Sequence, residues 1–117
     1  MRVGIFDSGI GGLTVLKNIY KHHPNNEYIY YGDTLNLPYG NKSKETITKY
    51  SKQIIRFLKT QNVKAIVVAC NTASAYALDE IEKELEIPII GVVKPGAKVA
   101  AETTRNKRVG VIATAGT

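Results

Sequence analysis

Three short segments of the chain hold the residue types that can do chemistry. Asp7-Ser8-Gly9-Ile10-Gly11-Gly12 joins a carboxylate and a hydroxyl to a glycine-rich turn. Cys70-Asn71-Thr72 sets the single cysteine beside two polar side chains, and Thr114-Ala115-Gly116-Thr117 spaces two hydroxyls around a glycine. A thiol with a carboxylate nearby suits proton transfer, because the thiolate is the reactive form and the carboxylate can act as a proton relay. Neutral hydroxyl and amide donors suit recognition of a carboxylate without burying a permanent cation. Each residue also has a plain structural reading. Cysteine is often buried as a small apolar side chain, Asp7 or Ser8 suits the N-cap of a following helix, and Asn71, Thr72, Thr114 and Thr117 suit caps and turns.

The glycine-rich loop fails three phosphate-binding templates at specific residues. A dinucleotide fingerprint starting at Gly9 needs glycine where Thr14 stands, and a P-loop built on Gly4 and Gly9 needs Lys-Ser/Thr where Ile10-Gly11 stands. An aspartyl-phosphate loop needs a second acid two residues after Asp7, and that position is Gly9. What remains is a strand ending in Asp7 and Ser8, followed by glycines that let a helix N-terminus come close to a small ligand.

The elements that must position these groups alternate. β-rich runs at 2–6, 27–31, 65–69, 88–93 and 108–113 predict strands, and helical patterns fill 12–22, 44–59, 73–85 and 96–104. The runs 65–69 and 88–93 are apolar throughout, as expected for strands covered on both faces. The expected fold is therefore α/β, a doubly wound, mostly parallel sheet with helices on both faces. Ligands of such sheets sit outside the carboxyl ends of the strands. Asp7, Cys70 and Thr114 all fall there. Cys70 also precedes a helix, whose positive dipole end and free N–H groups favour a thiolate. Pro38-Tyr39-Gly40 reads as a rigid turn in which Tyr39 is either an aromatic lid or core filler.

Composition narrows the alternatives. The 117 residues suit one domain or slightly less. One cysteine excludes an internal disulfide and any Cys-rich zinc cage. The balance of 16 Lys and Arg against 10 Asp and Glu leaves +6. Yet Lys49, Lys52, Arg56 and Lys59 form one helical stripe, opposite Ile47, Tyr50, Ile54, Phe57 and Leu58, as on a solvated outer face. No aromatic side chains interleave with these cations or with Arg105-Asn106-Lys107-Arg108 as a stacking platform would need, so no nucleic-acid partner is expected. His22 and His23 close the first helical pattern, where they complement the dipole. The longest apolar run, 65–70, is far short of the ~20 residues of a membrane span. With no targeting segment visible, the expected compartment is the cytoplasm, with no membrane partner.

Taken together, Asp7 to Gly12, Tyr31-Gly32-Asp33-Thr34, Pro38-Tyr39-Gly40, Ala69-Cys70-Asn71-Thr72-Ala73-Ser74-Ala75 and Gly110 to Thr117 resemble the bacterial glutamate racemases, in the family's order and over essentially the whole chain. Leu35-Asn36 departs from the pattern, since the family frequently has a small residue and a basic one there. The resemblance implies the flavodoxin-like half of a two-domain enzyme that interconverts L- and D-glutamate without cofactor or metal and supplies D-glutamate for peptidoglycan. It implies catalytic roles for Cys70 and Asp7, and substrate contacts from Asp7, Ser8, Tyr39, Gly40, Asn71, Thr72, Thr114 and Thr117. It admits a homodimer of a full-length form. Racemisation needs a base on one face of the α-carbon and an acid on the other, with preplaced donors for the carbanion-like transition state. The family carries its opposing cysteine in a second-half Gly-Cys-Thr-His segment, whereas this sequence has no second cysteine and no histidine after His23. The expectation is thus residues 1–94 as a first domain lacking its completion, 95–117 as the opening of a second, and no racemisation by this chain alone. The alternatives are a non-catalytic module that binds a protein or nucleic acid through its basic face, or a racemase of another amino acid.

Overall fold

The alternating pattern folds into four strands and four helices in a computed structural model that describes residues 1–117. In chain order these are β1 (Arg2–Asp7), α1 (Leu13–His22), β2 (Glu27–Gly32), α2 (Lys44–Thr60), β3 (Ala65–Val68), α3 (Asn71–Glu84), β4 (Ile89–Ile90) and α4 (Val93–Thr103). Single 3-10 turns occur at Thr34–Asn36 and Tyr39–Asn41. The sheet is parallel with order β2-β1-β3-β4, and Ile5 of β1 pairs with Tyr30 on one side and Val67 on the other. The chain therefore winds from β1 outward to β2, then crosses back to lay β3 on the opposite side of β1. The strand order reverses between β1 and β3, which is where such sheets open a crevice.

Strand periodicity divides the apolar residues between two layers. Val3, Ile5, Val67 and Ala69 pack with Val15, Leu16 and Ile19 of α1. Their neighbours Phe6, Ile66 and Val68 point the other way, into a larger core with Ile47, Ile54, Ile55 and Leu58 of α2 and Ala73, Ala77 and Ile81 of α3. Helix α2 starts at Ser43, whose Oγ accepts the Thr46 N–H at 3.1 Å, and it carries Glu45 in its first turn and Lys59 in its last. Its basic stripe faces outward as expected, and Lys52 bridges Glu80 and Glu84 of α3 at 2.9 and 3.3 Å.

Three expectations are corrected. Residues 108–113 form no strand: Val109, Val111 and Ile112 are exposed, because β-rich sequence needs a neighbouring strand to complete its ladder and none lies beside it. The fourth strand is confined to Ile89–Ile90, since helix α4 takes over at Val93 instead of Gly96. Pro95 does not block this early start, because N–H groups of a helix's first turn have no intrahelical acceptor and a missing one is tolerated there.

Ser74 joins the ends of β3 and β4. Its Oγ donates to the Val68 carbonyl at 3.1 Å and accepts the Val92 N–H at 3.2 Å, and the residue is buried. Ser74→Ala strips partners from both backbone groups and is expected to destabilise the fold by about 1–3 kcal/mol. Urea unfolding checks this; an unchanged midpoint would mean that water replaces the hydroxyl.

Candidate active site

Asp7 ends β1, and Cys70 follows β3, the strand next to it across the reversal point. Both are nearly buried, at 7% and 5% exposure. The Asp7 carboxylate is held by the turn after it, with Oδ2 accepting the Gly12 N–H at 2.7 Å. It thereby supplies a negative group at the N-terminus of α1. Gly12 permits this approach because a Cβ there would lie 2.8 Å from the Asp7 Cβ and 2.9 Å from that of Ala69. The other carboxylate oxygen, Oδ1, faces Ser8 Oγ at 3.5 Å.

Cys70 caps α3. The chain enters the helix in extended conformation at Cys70, and Sγ accepts the Ala73 N–H at 3.4 Å. The sulfur also meets Ser8 Oγ at 3.6 Å. The capping position expected for Asn71 or Thr72 thus belongs to the cysteine itself. Asn71 is exposed on the first turn of α3, and Thr72 is buried beside it. Thr72 Oγ1 and Thr114 Oγ1 lie 2.9 Å apart, and Thr114 Oγ1 and Thr117 Oγ1 lie 3.1 Å apart. These hydroxyls, with Asp7, Ser8 and Cys70, line an open cleft of about 1030 Å³ whose far wall is α4 and residues 109–113.

Tyr39 and Gly40 are not among the residues that line this cleft. Tyr39 is 2% exposed, and its hydroxyl donates to the buried Asp33 carboxylate, which also takes two 3.0 Å bonds from Asn36 Nδ2. Burial first, then the bond to Asp33, holds the Tyr39 phenol well above its ordinary range, so it stays a donor. The backbone of this turn approaches Thr114 through Gly40, where a Cβ would lie 2.7 Å from Thr114 Cγ2. Tyr30 supports the opposite loop, donating to the Gly9 carbonyl at 2.8 Å. Burial, and then the negative charge of Asp7, pushes its phenol up to about 12. Asp33, Asn36, Tyr30 and Ser74 have no assigned role in the sequence reading. The available clue was an acid, Asp33, just after the second strand, where the doubly wound fold gathers functional groups.

A thiol with a carboxylate-linked hydroxyl, faced by neutral donors, can exchange a proton with a small anionic substrate. The family model described as Asp/Glu/Hydantoin racemase matches residues 14–117. The chain belongs to that racemase family. It is 57% identical over 115 residues to the glutamate racemase of Geobacter metallireducens, covering 98% of this chain and 43% of the relative. It is 54% identical to that of Aquifex aeolicus over the whole chain and 46% of the relative. The chain thus spans a little under half the length of these curated relatives. Among solved structures, glutamate racemase from Aquifex pyrophilus superposes with a TM-score of 0.89 at 53% identity, covering 92% of this chain and 43% of that one. The α/β architecture is accordingly the racemase fold over the aligned part. No three His, Cys, Asp or Glu side chains gather closely enough to hold a metal ion, and no helix is long and apolar enough to cross a membrane.

Proposed function

We propose that this chain provides one acid/base face of a cofactor-independent glutamate racemase acting in the cytoplasm. Cys70 exchanges the α-proton on the face used by the D-isomer, and Asp7 assists the thiol. Ser8, Tyr39, Gly40, Asn71, Thr72, Thr114 and Thr117, with Asp7, hold the substrate carboxylates and amine. The reading rests chiefly on one observation, the Cys70 sulfur set at the strand-order reversal within reach of Ser8 and hence of Asp7. The family membership supports the reaction, and the relatives' own names supply the substrate. Residues 1–94 make up most of one domain in this reading and 95–117 open a second. The last strand ends at Ile90, before that boundary, and helix α4 (Val93–Thr103) runs across it. The opposing cysteine that the family resemblance implies for the second α-carbon face is not among these residues, whose only thiol is Cys70.

The test is polarimetric or circular-dichroism detection of glutamate rotation. The chain alone is expected to give none. Mixed with the carboxyl-terminal portion of a family glutamate racemase, it is expected to give sustained turnover. Turnover by the isolated chain would overturn the one-face assignment. A demonstrated complex without turnover would count against the racemase reading itself.

A further inference from the structure

The Asp7 carboxylate makes no direct bond to the Cys70 sulfur; Ser8 stands between them. One carboxylate oxygen is occupied by the Gly12 N–H at 2.7 Å, and the other faces Ser8 Oγ at 3.5 Å. The same Ser8 oxygen is the acceptor facing the Cys70 thiol at 3.6 Å, while the sulfur's own lone pair takes the Ala73 N–H at 3.4 Å. Every partner is consistent with one polarity. The helix amide fixes the sulfur, the S–H points at Ser8, the Ser8 O–H points at Asp7, and the carboxylate is anchored from behind. Asp7 and Cys70 are nearly buried, whereas Ser8 is half-buried at the cleft.

We propose that Ser8 is a positioning residue that relays the proton between the Cys70 thiol and the Asp7 carboxylate, beyond the substrate contact its place in the family implies. In the relay the S–H bond breaks as a proton reaches Ser8 Oγ, and the original Ser8 proton passes to Asp7 Oδ1. The result is a thiolate, an unchanged serine and a carboxylic acid, with no change in total charge. The reverse sequence restores the thiol. The inference rests on the racemase reading only for what the thiolate then does.

The test needs no glutamate, so its outcome is separate from that of the racemase reading. Cys70 is the single thiol of the chain, and iodoacetamide alkylation reports it alone. In that reaction an S–C bond forms, iodide leaves, and the thiol proton departs along the relay. At neutral pH, Ser8→Ala and Asp7→Asn are each expected to slow alkylation by about 10-fold or more, as loss of a positioned base does. The double variant is expected to be no slower than the slower single one, and Ser8→Thr to restore the parent rate. The sign at Asp7 discriminates, because a carboxylate acting only through its charge disfavours the thiolate, and its removal would then speed alkylation. Faster alkylation of Asp7→Asn, additive slowing in the double variant, or a folded Ser8→Thr as slow as Ser8→Ala would each overturn the relay. If Ser8→Ala fails to melt cooperatively, Ser8→Gly takes its place. Asp7→Asn keeps an oxygen to accept the Gly12 N–H and gives an independent reading.

Discussion

Cys70→Ser is expected to lower racemisation by the complemented assembly by about 10³-fold, within the range that a positioned acid/base group contributes. The serine hydroxyl can keep the Ala73 N–H bond and cap α3, so the fold should survive while the exchangeable thiol is lost. The loss should also be one-sided. With a base intact only on the opposite face of the α-carbon, L-glutamate should still exchange its α-hydrogen with deuterated solvent, whereas D-glutamate should not. Proton NMR in D₂O measures both isomers in the same assembly. D-glutamate that went on exchanging at the parent rate would assign that face to another group and leave Cys70 as a helix cap.

Phe6→Ala should have the largest effect on stability. Phe6 is fully buried in the larger core, and its carbonyl accepts the Ala69 N–H at 2.8 Å. Truncating a buried phenylalanine costs about 3–5 kcal/mol, a large part of the 5–15 kcal/mol that typically separates folded from unfolded domains. At about 4 °C per kcal/mol, the melting midpoint should fall by roughly 12–20 °C. Calorimetry or far-UV circular dichroism checks this, and a shift of a degree or two would mean that the core around β1 and β3 closes over the gap. The same residue joins the two strands that present Asp7 and Cys70. A partly collapsed Phe6→Ala core should therefore impair the site even where the chain remains folded.

Much of this was legible from residue order. Apolar runs separated by amphipathic segments are local properties, and they located four strands, four helices and the strand ends where Asp7 and Cys70 stand. Residues 108–113 misled for a definite reason: the pattern reports a preference for extended backbone, while a strand exists only when another supplies its hydrogen bonds. Helix α4 begins at Val93, ahead of the Gly96 start expected from the pattern, and Pro95 falls in its first turn, where its missing N–H is harmless. Ser74 and Tyr30 stayed silent because each works through a partner far along the chain, Val92 and Gly9, and Asp33 because its bond to the Tyr39 hydroxyl depends on how the turn folds back. Tyr39 could be read as lid or core. Its hydroxyl turns out to be engaged with Asp33, on the core side of the turn.

The sparing burial of two helices bears on how the cleft behaves over time. Neither α1 nor α4 contributes a fully buried residue, whereas β1 and β3 are almost wholly buried. Local opening free energy follows such packing, from near zero where few apolar contacts hold a segment to the global value in core strands. Amide exchange should then be slow along the wall that carries Asp7 and Cys70 and fast along the wall formed by α4 and the residues after it. The reacting groups are set in the stiff part of the molecule, and the space in front of them is bounded by the soft part. On this packing, the wall formed by α4 should yield more readily than the strands that carry Asp7 and precede Cys70.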